Sequence, residues 1–93
     1  QRVVELNPQN EDAYFNMGLA YGNLKDYNDT ISAYQKVIAI NPQKYSTYHN
    51  MAIAYANLNR YDEAIANIRK AMELNPSDPI EEELYRELLK RRR

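Results

Sequence analysis

The sequence predicts an all-α fold, a short array of helix–turn–helix units, and three observations predict it. An Asn-Pro step recurs: "ELNP" at Glu5–Pro8, "AINP" at Ala39–Pro42 and "ELNP" at Glu73–Pro76, with prolines at 8, 42 and 76, each 34 residues after the last. Segment 11–44 laid over 45–78 matches Tyr14 with Tyr48, Asn16 with Asn50, Met17 with Met51 and Ala20-Tyr21 with Ala54-Tyr55. It also matches Asn23-Leu24 with Asn57-Leu58, Tyr27 with Tyr61, Ile31 with Ile65 and Lys36 with Lys70. Within each copy the apolar residues fall at helical spacing, i, i+3, i+4 and i+7.

The elements follow in order. "QRVVELNP" aligns with "QKVIAINP" and "RKAMELNP", so residues 1–8 read as the tail of a preceding unit, about two turns of helix. Tyr14, Met17, Gly18 and Tyr21 mark one helical face and predict a helix over 11–24. "LKDY" interrupts the pattern. Thr30, Tyr34, Val37 and Ile38 mark a second helix over 28–41, with Asn28 as its N-cap. Pro42 then ends it, because proline cannot continue a helix and pushes the preceding residue out of the α region. The second unit repeats the plan: Tyr48, Met51, Ala52 and Tyr55 over 45–58, "LNRY", then Ala64, Ile68, Ala71 and Met72 over 62–75, capped by Asp62. Gly18 goes with Thr30 and Ala52 with Ala64, a pairing that conserves volume if these positions meet.

The remainder, "SDPIEEELYRELLKRRR", predicts a solitary closing helix over 79–93. Asp78 can cap it, Pro79 suits the first turn, and Glu81 completes a capping box. Glu81–Glu83 complement the positive end of the helix and Lys90–Arg93 the negative end. Leu84, Tyr85, Leu88 and Leu89 form an apolar stripe that docks on the second full unit.

This 34-residue unit resembles the tetratricopeptide repeat, whose pattern is Trp-x2-Leu-Gly-x2-Tyr, Ala-x3-Phe-x2-Ala and a final Pro. One unit reads Tyr14, Met17, Gly18, Tyr21, Thr30, Tyr34, Val37, Pro42; the next reads Tyr48, Met51, Ala52, Tyr55, Ala64, Ile68, Ala71, Pro76. The departures are Tyr for Trp and Tyr or Ile for Phe. The resemblance covers essentially the whole chain as one domain and implies a right-handed α-α superhelix, a solenoid whose first helices line a concave groove. It places Tyr14, Tyr21, Tyr34, Tyr48 and Tyr55 in the packing core.

Composition narrows the chemistry. The chain has 93 residues, one small domain, with 12 Lys and Arg against 13 Asp and Glu for a net charge of −1. That balance offers no global attraction to nucleic acid or an anionic membrane, and no basic groove accompanies the tyrosines to suggest base stacking. No apolar run approaches the roughly 20 residues of a membrane span. There is no cysteine and a single histidine, His49, so no thiolate chemistry, no metal site and no cofactor is expected. Acid–base catalysis needs a positioned partner, and none is legible, so no enzyme is expected. The two glycines, Gly18 and Gly22, lie inside a helical pattern and not in a phosphate loop. The compartment stays open, with the cytoplasm favoured. The chain begins at Gln1 and not Met, so a natural amino terminus is expected upstream.

The groove implied by the resemblance takes Asp12, Phe15, Asn16, Leu19, Gly22 and Asn23 from one first helix, and Ser46, His49, Asn50, Ile53, Ala56 and Asn57 from the other. Family members that hold the C-terminal carboxylate of heat-shock chaperones set Lys and Asn, or Lys and Arg, four apart on these helices. Here those positions hold Phe15 and Leu19, and His49 and Ile53. Without a cation the groove is unlike those clamps. Asn16 and Asn50 have amides able to pair with a peptide backbone, or to bridge neighbouring helices. The expected function is a protein-interaction module binding an extended peptide or partner helix. The alternative is a structural spacer or self-association element, a homo-oligomer formed through the open amino-terminal repeat face.

Overall fold

The computed structural model describes residues 10–92, among which stand five helices: α1 (Glu11–Asn23), α2 (Tyr27–Ile40), α3 (Tyr45–Asn57), α4 (Tyr61–Leu74) and α5 (Pro79–Arg92). The tail expected over 1–8 lies outside the described residues. α1 packs most closely on α2 and α3 on α4, while α2 against α3 and α4 against α5 join one unit to the next. The chain is therefore two helical hairpins and a fifth helix laid in sequence.

The turn inside each hairpin has one geometry twice. Lys25 and Asn59 sit at φ 63° and 62°, in the left-handed region. The next residue then bonds back: Asp26 N–H donates to Tyr21 O and Arg60 N–H to Tyr55 O, each at 2.9 Å. These are the bonds by which a left-handed residue closes a helix C-terminus, a place usually given to glycine. The second helix consequently starts one residue earlier than its sequence signals indicated. Asn28 and Asp62 are not N-caps. They lie one position inside, and the capping positions fall to Asp26 and Arg60, neither with a side-chain cap bond. Asp62 instead meets Arg92 of α5 at 3.3 Å. At the far end Asn41 (φ −139°, ψ 86°) and Asn75 (φ −143°, ψ 73°) stand outside the α region, which the following proline disfavours.

The core runs between the layers. Tyr34, Val37, Tyr48, Met51, Ala52, Tyr55, Ala64, Ile68, Ala71 and Leu88 are all buried in one cluster. Of the five expected core tyrosines, Tyr34, Tyr48 and Tyr55 are buried, whereas Tyr14 and Tyr21 are half-exposed.

Gly18 and Thr30 do meet, for Thr30 Oγ1 donates to Gly18 O at 3.3 Å. The larger group that requires the glycine is Tyr34, however: a Cβ on Gly18 would lie 2.4 Å from its ring. The second unit has Ala52 against the smaller Ile68 at these positions.

α5 keeps its N-cap, since Ile80 N–H donates to Asp78 Oδ1 at 3.0 Å. Glu81 does not complete a capping box and does not serve the helix dipole at the surface. It is 2% exposed and its Oε1 lies 2.7 Å from His49 Nδ1. Its position in the repeat points at the preceding first helix, so the carboxylate is carried inward with the stripe. On the outer side Glu82 pairs with Arg86 at 3.0 Å. Arg86 stands where Gly18 and Ala52 stand in the earlier units, so α5 offers a charge where a second helix would pack.

Candidate functional site

α1 and α3 present the same face side by side. Between them, over α2, lies a cavity of about 230 Å³ bordered by Leu19, Gly22, Tyr34, Asn50, Ile53 and Asn57, with Asn23 also at its edge. Leu19 and Ile53, one repeat apart, are 44% and 41% exposed. Glycine keeps the cavity open. A Cβ on Gly22 would meet only Thr30 Oγ1, at 3.7 Å, so the space beside it is vacant and not filled by a neighbour. Gly18, one turn earlier, instead admits the Tyr34 ring against the helix backbone.

The asparagines divide into two kinds. Asn50 Nδ2 donates to the Tyr34 hydroxyl at 3.3 Å, and Asn57 Nδ2 donates to Ile53 O at 2.9 Å. Each keeps its Oδ1 as a spare acceptor. Burial pushes the Tyr34 phenol above its ordinary value, and the bond from Asn50 works against that rise. Asn16 and Asn23 are exposed, with no hydrogen bond among the described residues. Asn50 thus does bridge helices, and Asn16, its counterpart, bridges to none of the described residues.

The other expected groove residues stand apart from this cavity. Phe15 lies toward the start of α1, its ring 5.4 Å from that of Tyr34. Lys44 Nζ sits 4.9 Å over Phe15 and 3.5 Å from Glu11, which also accepts from Asn41 at 3.2 Å. Lys44 is therefore committed to packing. Asp12 is exposed and has no partner among the described residues.

His49 has a partner that its place in the chain did not show: Glu81 Oε1 lies 2.7 Å from its Nδ1. With Tyr45, Ser46, Asp78 and Ile80 the pair lines a cleft of about 180 Å³ between the starts of α3 and α5. Sequence reasoning looked for a partner near His49 in the chain, but the partner is 32 residues away. The repeat offset of 34 contained the signal: it brings the start of α5 beside α3.

Sequence reasoning also missed a second cavity of about 210 Å³, where Ile53, Ala56 and Asn57 of α3 face Leu84, Glu87, Leu88 and Arg91 of α5. Among the described residues no group of three His, Asp or Glu is placed to hold a metal ion, and no helix is long and apolar enough to cross a membrane.

No curated protein is found to match the chain. A family model for the tetratricopeptide repeat matches residues 11–44 and again residues 45–78. Each matched segment is one hairpin, α1–α2 or α3–α4, with the first position after it opening the next helix. The two matches span most of the sequence, and the chain belongs to the tetratricopeptide repeat family.

Proposed function

We propose that the chain is a protein-interaction module that holds an extended segment of a partner protein across the face shared by α1 and α3. Tetratricopeptide repeats mediate protein–protein contacts and are typically non-catalytic. The observation that carries the finer reading is the uncharged cavity between Leu19 and Ile53, open at Gly22 and bordered by side-chain amides. Exposed aliphatic side chains beside spare acceptors suit a peptide, which brings apolar side chains and backbone N–H groups together. Selection of a random dodecapeptide library on the intact chain tests it. Enriched peptides should bind in solution, and Ile53→Asp should abolish their binding. Asn16→Ala, which breaks no hydrogen bond among the described residues, should weaken it by about 1 kcal/mol. A library with no enriched sequence would overturn the reading.

A second reading, self-association through the outward side of α1, is favoured by one observation. Met17 is 43% exposed, whereas its counterpart Met51 is 4% exposed. Sedimentation across a concentration series tests it: mass should rise with concentration, and Met17→Lys should hold the chain monomeric. A monomer at all concentrations removes this reading.

A further inference from the structure

The groove reading rests on α1 and α3, yet the repeat supplies a third first-position helix. The offset of 34 sets Leu84, Glu87 and Arg91 of α5 in register with Asn50, Ile53 and Asn57 of α3. The cavity between α3 and α5 shares Ile53 and Asn57 with the cavity beside Gly22. Ile53 therefore stands as an exposed ridge between two adjoining recesses. Packed helices lie about 8–10 Å apart, a span that about three residues of extended chain cover.

Hydrogen-bonding capacity and charge are distributed unevenly over this face. Asn50 and Asn57 each spend one of two amide hydrogens internally, and their oxygens accept no bond among the described residues. A helical partner has already used its backbone N–H groups, whereas an extended one brings them free. α3 contains no Asp, Glu, Lys or Arg, and its one imidazole is held by Glu81. Lys44 is held by Glu11. On α5, Ile80, Glu83, Leu84 and Glu87 share a helix face. Glu87 is balanced by Arg91 at 3.2 Å. Glu83 is exposed and has no ion pair or hydrogen bond among the described residues. Of the other exposed cations of α5, Arg86 pairs with Glu82 at 3.0 Å and Arg92 with Asp62 at 3.3 Å, and Lys90 lies about two turns beyond Glu83. The face between Leu19 and Glu83 thus offers amide oxygens as acceptors and one carboxylate without a partner among the described residues.

We propose that the groove extends onto α5 and takes an extended peptide with two apolar side chains, one in each recess beside Ile53, followed by a lysine or arginine that meets Glu83. This inference rests on the groove reading, and the test separates the two. Dodecapeptides selected on the intact chain should carry two apolar positions about three residues apart and a Lys or Arg beyond the second. For an enriched peptide, Ala56→Leu, which fills the α3–α5 recess, should weaken binding about tenfold or more. Glu83→Lys, on an exposed position that leaves folding intact, should weaken it about fivefold. Selection repeated on the Glu83→Lys chain should replace the basic position by Asp or Glu. Enriched peptides with a single apolar position, or affinities unmoved by Glu83→Lys, would overturn the α5 wall and leave the α1–α3 groove standing. Absence of any enriched peptide would overturn both.

Discussion

Tyr14, Met17, Ala20 and Tyr21 of α1 recur residue for residue as Tyr48, Met51, Ala54 and Tyr55 of α3. On α3 all four are buried, and on α1 none is. Secondary structure does not separate them, since both helices have 13 residues and the same turn after them. The difference is α2, which covers the side of α3 that is exposed on α1. An apolar stripe in a repeat is a core only where a neighbour lies on it, so burial belongs to the interface between units and not to the unit.

Five tests, using seven substitutions, bear on that contrast, from the largest expected effect to the smallest. Met51→Ala should cost about 3 kcal/mol, because it leaves a cavity in a closed interface. Met17→Ala, the same change one repeat earlier, should cost less than about 1 kcal/mol. Urea unfolding of both variants measures the gap, and equal costs would break the contrast.

The carboxylate of α5 sharpens it. Glu81 and Thr47 hold equivalent positions, and both are buried. Glu81 has His49, whereas the residue equivalent to His49 one unit earlier is Phe15. His49→Ala should cost about 2–3 kcal/mol, since it strands a buried carboxylate. If the melting temperature of His49→Ala equals that of the parent chain, α5 does not depend on this pair.

The glycines test the first unit internally. Gly18→Ala should cost about 2 kcal/mol by driving a methyl group into Tyr34. Gly22→Ala should gain up to about 1 kcal/mol, because its methyl group has room and alanine favours the helix. Thermal denaturation should move in opposite directions for two identical substitutions four residues apart.

Thr47 Oγ1 is buried and has no hydrogen-bond partner among the described residues. Thr47→Val should therefore stabilise the chain by about 1 kcal/mol. A loss of stability would mean that the hydroxyl is satisfied in solution.

The smallest effect concerns the starts of the second helices. Asp26 and Asp29 face each other in the first unit, and a hydrogen bond and repulsion from Asp26 raise the Asp29 carboxyl above its usual value. The equivalent pair in the second unit is Arg60 and Glu63, 2.9 Å apart, and Glu63 is lowered chiefly by its bond to Arg60. A raised acid favours folding in its protonated form, and that benefit is lost as pH rises through the folded value. A lowered acid favours folding when ionised, and that benefit is lost as pH falls through it. Asp26→Arg should thus convert the first unit to the behaviour of the second: slightly more stable near neutral pH, with the gain vanishing in acid and in high salt. A gain that persists in acid would exclude the ion pair as its cause.

Much of the fold was legible because it rests on local physics repeated in phase. The Asn-Pro steps stop helices by covalent geometry, the apolar spacing fixes which face is inner, and the offset of 34 orders the units. The N-caps were misplaced at Asn28 and Asp62 because nothing in "LKDY" or "LNRY" announces a left-handed residue without glycine. The candidate site was legible in part: Leu19, Asn23, Asn50, Ile53 and Asn57 do border one cavity, but His49 does not.

Helix positions, their phase and the absence of charge on α3 were determined by the sequence alone, since each depends on residues a few places apart. Only the tertiary structure decided which copy of an identical stripe is buried, that Glu81 turns inward to His49, and that Ile53 divides two recesses. These depend on which helix lies against which, across separations of about 30 residues. They are settled by packing, where a side chain's partner is a matter of space and not of sequence distance.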